Sequence, residues 1–174
     1  MTFSSWNRTL RNNADKLWNS SNNVNSSLDS WWSAHMGNAL GRFSSLQYFT
    51  PPQNARYGVS TNAKEFCSRS QAANYEAMRA MFEGYSVNKH KNATGVIQWM
   101  MNNAYPEHLW HTYDYFLVGG GGYFGTKRAC EALHVMMNPN NGRVSIINSR
   151  FFNVLEDVQV TVEALWGGQE GSGR

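Results

Sequence analysis

Residues 95–130 concentrate the side chains with the most chemistry. They include Trp99, the amides Asn102 and Asn103, the carboxyls Glu107 and Asp114, and the HxxH pair His108 and His111. Four consecutive glycines, Gly119 to Gly122, and Cys130 follow. A phosphate cradle, a metal site and a sugar cleft all use such residues. A phosphate loop needs Gly-Lys-Ser/Thr after its last glycine and a strand before it. Here the order is Gly125-Thr126-Lys127 and the preceding pattern is helical, so the glycines read as a flexible joint between two helices. An HxxH pair without a carboxylate at ligand spacing is weak for zinc. His108 and His111, like His35, His90 and His134, read as surface or hydrogen-bonded residues, and no metal is expected.

Glycoside hydrolysis needs two carboxyl groups flanking the scissile bond. Glu107, just after Pro106, suits the first turn of a helix, where the dipole favours an acid. Asp114, between Tyr113 and Tyr115, is open to two readings, a functional carboxylate or a helix-surface one. Trp99 closes an apolar run just before the two asparagines. At the C-terminal end of a barrel strand, such a ring could stack on a sugar while the amides bond its hydroxyls. The plain alternative is a core tryptophan. Cys67 and Cys130 show no CxxC spacing, so two buried free thiols are expected, with one disulfide as the alternative, and neither lies at a helix start where a thiol becomes reactive.

Composition narrows the classes. The 174 residues are 41% hydrophobic and 14% aromatic, enough for a core with rings to spare for flat ligands. The net charge is +3 and the bases are scattered, with nothing denser than "NKHKN" at residues 88–92, so nucleic acid is not expected. No apolar run is long enough to span a bilayer, and no signal-peptide pattern opens the chain. Four sequons, at Asn7, Asn19, Asn25 and Asn92, point to a secretory route.

These residues need elements to position them. Residues 1–34 are rich in Asn and Ser and read as a polar arm, with Trp18, Trp31 and Trp32 docking parts of it. Leu40, Phe43, Leu46 and Phe49 predict a short helix stopped by Pro51-Pro52. Residues 60–85 predict a long helix with Asn62 and Glu65 as a capping box and a face of Phe66, Ala73, Ala77 and Met81. Residues 94–100 read as a buried strand. Helical spacing follows at Leu109, Tyr113 and Phe116, then another helix over 123–133. After Leu133 the period becomes two. Residues 133–139 and 142–150 predict strands joined at Asn140-Asn141-Gly142, and residues 158–166 a third. A change from α/β to all-β marks a domain boundary near Leu133.

The stretch "ATGVIQWMMNNAYPEHLWHTYDYFLVGGGGYFGTKRACEALHV", residues 93–135, resembles glycoside hydrolase family 2, in its exo-β-D-glucosaminidase and β-mannosidase branch. "NARYG" at 54–58 and "NYEAMRAMFE" at 74–83 resemble the preceding helical region of that family. The resemblance implies an α/β followed by all-β chain. Residues 35–133 would be the last units of a (β/α)8 barrel, residues 134–166 the first strands of an immunoglobulin-like sandwich, and residues 167–174 a flexible tail, both domains being incomplete. It implies a retaining exo-acting hydrolase of β-linked glucosamine or mannose that uses no cofactor. Both catalytic glutamates would lie upstream of Met1, so the chain alone is expected to be inactive and to need the N-terminal part of the same enzyme as partner. Trp99 would floor the sugar subsite, with Asn103, Trp110 and Asp114 beside it. Tyr105 stands where the family usually has Trp, and Glu107-His108 depart from a usually small or apolar pair. A non-catalytic carbohydrate-binding or interaction module is the alternative from another class.

Overall fold

The computed structural model describes residues 1–12, 14, 18, 35, 46–108, 111–138, 140–150, 152 and 154–163. Among them four helices and one hairpin form a mixed helix–strand unit. The first helix, α1, spans Phe3–Thr9, capped by the Thr2 hydroxyl, which accepts from the Ser5 backbone N–H. Part of the expected polar arm is therefore structured. Its apolar residues are few but spaced for one face: Trp6 and Leu10 are fully buried and pack with Met1, Ala14, Ala63, Phe66 and Cys67. Trp18 tilts against Phe66 at 5.5 Å. Trp31 and Trp32 lie outside the described residues.

Helix α2 spans Leu46–Tyr57 and carries Pro51 and Pro52 inside it, so the prolines do not stop it. Each proline removes one backbone donor, and the helix is held by side chains instead: Ser70 donates to Gln53 Oε1 at 2.8 Å. It ends where the sequence supplies Gly58, whose φ of +82° is the left-handed conformation a helix C-terminus favours. The Gly58 N–H reaches back to the Asn54 carbonyl at 2.9 Å.

The long helix is α3, Ala63–Asn88. Asn62 caps it by accepting from the Glu65 N–H at 2.8 Å. Glu65 in turn accepts from the Thr61 N–H at 2.7 Å, one residue earlier than in a standard box. The buried face is Phe66, Cys67, Ser70 and Met78, whereas Ala77 is exposed. Expected and observed faces share Phe66 alone, because α4 and α1 pack on α3 from sides that the apolar spacing does not mark.

Helix α4, Gly121–Ala129, starts inside the glycine run. The glycines are contact surface rather than a joint. A Cβ on Gly121 would sit 2.0 Å from the Gln71 carbonyl oxygen, and one on Gly125 2.3 Å from that of Tyr75. Only glycine lets the two helix backbones approach this closely. Cys130 at the end of α4 is exposed while Cys67 is buried, so one expected buried thiol is not.

The chain then changes to strands as expected. β1 (Leu133–Met137) pairs antiparallel with β2 (Val144–Asn148), with Val135 opposite Ile146. At the turn, Asn138 and Asn141 accept from the backbone of Asn140 and Arg143. The hairpin docks on the end of α3: the ring Nε2 of His134 lies 2.7 Å from Glu83 Oε1, and Lys89 Nζ donates to Ser149 Oγ at 2.9 Å.

Three further expectations differ from the structure. Residues 94–100 form no strand, with a bend at Trp99, and Ile97 is 88% exposed. A parallel strand is built by hydrogen bonds to neighbours, and none lies alongside it among the described residues. Residues 111–118 form turns, not helix, because Asp114 Oδ1 takes the Phe116 and Val118 N–H groups. Residues 158–163 make no strand, and the rest of that expected strand, with Trp166, lies outside the described residues.

Candidate functional site

The described residues between 94 and 120 form no helix or strand and are tied together by backbone bonds. Thr112 Oγ1 and the Tyr113 N–H both donate to the Met101 carbonyl, at 2.8 and 2.9 Å. The Gly120 N–H donates to the Thr112 carbonyl at 3.1 Å. Asp114 organises the tip. Its Oδ1 accepts from the Phe116 and Val118 N–H groups at 2.9 and 3.1 Å, while its own N–H donates to the Val118 carbonyl. A carboxylate that bonds the backbone two residues on offers a turn in competition with a helix. That is why the helical spacing of Tyr113 and Phe116 is overridden. Leu117 adopts φ +60° to close the turn.

The inner side of the loop is polar and closed. Asn74, Asn103, Glu107, His111, Tyr113 and Asp114 surround a cavity of about 10 Å³. That is room for about one water molecule and far too little for a sugar ring. Asn103 and Asp114 are 5% and 7% exposed. Asn103 Nδ2 donates to the Glu107 carbonyl at 3.2 Å. Asp114 Oδ2 has no hydrogen-bond partner among the described residues. Burial pushes the Glu107 carboxyl above its ordinary range. The two carboxyls of the loop thus share one cavity, and no substrate fits between them.

Beneath the cavity, His108 belongs to the core. Its ring lies 4.0 Å from Trp6 and 5.8 Å from Phe66, and its N–H donates to the His35 carbonyl. Burial first, then the N-terminal amine and His35, hold its imidazole well below the usual range. Burial, then the same amine, also lowers His111. Both rings are buried, so of the two expectations, surface or hydrogen-bonded histidines, the surface one does not hold for them. Among the described residues no three His, Cys, Asp or Glu side chains are placed to hold a metal ion.

The outer side is aromatic and open. Trp99 is 74% exposed, Tyr105 is 48% exposed and stacks on the His35 ring at 5.0 Å, and Tyr115 is half-exposed. The Trp99–Met100 peptide bond is cis. Of the four residues singled out from sequence, Trp99 is exposed, Asn103 and Asp114 are buried around the small cavity, and Trp110 lies outside the described residues. Sequence reasoning missed Gln71, whose Oε1 accepts the Gly121 N–H at 2.5 Å. Nothing in the sequence links residues fifty positions apart.

Comparison with known proteins supplies the relatives of the chain. The exo-β-D-glucosaminidase of Hypocrea jecorina is 34% identical over 120 residues, covering 68% of this chain. That of Streptomyces avermitilis is 37% identical over 111 residues. The solved exo-chitosanase of Amycolatopsis orientalis superposes with a TM-score of 0.62 at 31% identity, over 71% of this chain. The chain is a homologue of the exo-β-D-glucosaminidase and β-mannosidase branch of glycoside hydrolase family 2. The β-mannosidase side enters through the mannosylglycoprotein endo-β-mannosidase of Lilium longiflorum, 30% identical over 110 residues. The chain spans about 14% of the length of the first of these glycosidases and 14% of the solved one. No family model matches the chain.

Proposed function

We propose that this chain is part of a retaining, exo-acting β-glycoside hydrolase of the exo-β-D-glucosaminidase type. In this reading it forms the last barrel units and the first strands of a following sandwich. The observation that carries the proposal is the match to exo-β-D-glucosaminidases over two-thirds of the chain, which includes the loop bearing Trp99. Trp99 acts as the platform for the sugar, with Trp110 and Tyr105 extending the wall. Asn103 and Asp114 serve the same site by fixing the loop that presents it. The acid/base and nucleophile come from polypeptide outside this chain. Glu107 and Asp114 are poor substitutes, since Asp114 Oδ1 is committed to two backbone N–H groups and the cavity between the carboxyls admits no sugar. The substrate is a β-linked glucosamine or, within the same branch, mannose, and the protein follows a secretory route.

Incubation of the purified chain with p-nitrophenyl β-D-glucosaminide and β-D-mannoside tests this directly. No turnover above buffer is expected, because two carboxyls about 5 Å apart on either side of a bound sugar are required. Turnover that disappears in Asp114→Asn or Glu107→Gln would place the catalytic pair inside this chain and end the proposal. The exposed Trp99, Tyr105 and Tyr115 also suit a binding module without catalysis. Saturable binding of glucosamine by the chain alone would favour that second reading.

A further inference from the structure

The three consecutive bases Lys89, His90 and Lys91 follow the last residue of α3. Their position past a helix C-terminus is favourable in itself, because the carbonyl end of a helix attracts cations. That does not explain Arg143. It arrives from the other side, at the exit of the hairpin turn, with its backbone pinned by the Arg143 N–H bond to Asn141 Oδ1 at 3.0 Å. Together these bases line a groove of about 490 Å³ between the end of α3 and β2. No carboxylate lines it. Arg8 lies over the Phe116 ring rather than on a carboxylate. Four other arginines are paired: Arg56, Arg69, Arg79 and Arg128 each hold a glutamate. Among the described residues, no carboxylate pairs with Lys89, Lys91 or Arg143.

Like charges converging on one concavity repel one another and focus a positive potential there. An anion filling the groove removes that repulsion. The rest of the lining indicates what carries the anion. Ser86 and Ser145 offer hydroxyls of the kind that meet a sugar, and Ile147, on the same face of β2 as Ser145, supplies an apolar surface. The volume falls in the range of small-ligand sites, well above that of a bare ion.

We propose that this groove binds an oxyanion, a phosphate or sulfate group presented by a sugar. The oxyanion sits among Lys89, Lys91 and Arg143, and the sugar lies along β2. A glucosamine chain is cationic and is repelled here, so the ligand differs in charge from the substrate proposed above, and the two readings stand or fall separately.

The test is a titration of the full 15N-labelled chain at constant ionic strength. Glucose 6-phosphate, inorganic phosphate and glucose are the probes, and the amides of residues 89–91 and 143–145 are followed. Saturable shifts are expected with glucose 6-phosphate, weaker ones with inorganic phosphate and none with glucose. Arg143→Ala and Lys91→Ala should each weaken binding by about two- to fivefold, the size of one exposed ion pair, and Arg143→Lys by less. Both side chains are exposed, and the spectrum itself reports whether each variant is folded. Equal affinity for inorganic phosphate and the ester would overturn the sugar part of the proposal. Shifts absent with both, or unchanged in Arg143→Ala and Lys91→Ala, would overturn the site.

Discussion

Replacing a glycine by alanine inside a helix normally stabilises a protein, and in this chain the same change should act in opposite directions at two positions. Gly84 lies in α3 with nothing within 4 Å of where its Cβ would be. Gly84→Ala gains helix propensity alone, about 0.5–1 kcal/mol. Gly125 lies in α4, where a Cβ would stand 2.3 Å from the Tyr75 carbonyl oxygen, against an ordinary contact of 3.4 Å or more. The obstructing atom is backbone of α3, so no rotamer change relieves it and the helices must separate by roughly 1 Å. Overpacking of this kind costs up to about 3 kcal/mol, and the propensity gain offsets about 1 kcal/mol, leaving a net loss of roughly 2 kcal/mol. At about 2–4 °C per kcal/mol for a chain of this size, Gly125→Ala should lower Tm by roughly 4–8 °C. Gly84→Ala should raise it by roughly 1–4 °C. Thermal melts followed by circular dichroism measure both. A rise in Tm for Gly125→Ala would mean that α3 and α4 do not pack through their backbones and that the glycine run is a joint after all.

Asp114→Ala should destabilise the chain by about 2–3 kcal/mol through loss of two charge-assisted bonds, whereas Asp114→Asn, which keeps an acceptor at Oδ1, should cost less than half of that in urea unfolding. The lowered His108 means that the unfolded chain binds its proton more readily, so stability is complete above about pH 6.5 and falls as pH drops below it. The difference in Tm between the parent and His108→Phe should therefore narrow as pH falls from 7 to 5, and a constant difference would refute a buried neutral ring. Expression through a secretory pathway should place glycan on Asn92, which is exposed in a turn, and not on Asn7, whose amide bonds Asn12 and the Ala14 N–H; peptide mass spectrometry reads both sites.

Legibility in the sequence follows the range of each signal. The Asn62 cap and the Asn140-Asn141-Gly142 turn are readable because both partners of each bond lie within a few residues. The family stretch is readable because its order of residues is long and specific. The Asp114 turn competes with a helix at the same spacing, and only the geometry of Oδ1 decides between them. The burial of His108 against Trp6 depends on a helix over a hundred residues earlier in the chain, one that few apolar residues announce. The role of Gly121 and Gly125 depends on carbonyls at Gln71 and Tyr75, which no periodicity marks. Residues 94–100 carry the composition of a buried strand yet lie open, since a strand's pattern encodes neighbours it must find.

The loop at Trp99 is proposed to belong to a sugar site of the exo-β-D-glucosaminidase type. The most direct measurement grafts residues 94–133 of this chain in place of the matching segment of the Amycolatopsis orientalis exo-chitosanase. Turnover of p-nitrophenyl β-D-glucosaminide is then compared with and without Trp99→Ala. Loss of an aromatic stacking surface costs roughly 1–3 kcal/mol, by analogy with base–aromatic stacking, and each 1.36 kcal/mol is about tenfold in rate. An active graft is expected, with kcat/KM lowered by roughly fivefold to 160-fold in Trp99→Ala and Tm unchanged. A folded graft that turns over equally well with Ala at this position, or one in which the substitution lowers only Tm, would contradict it.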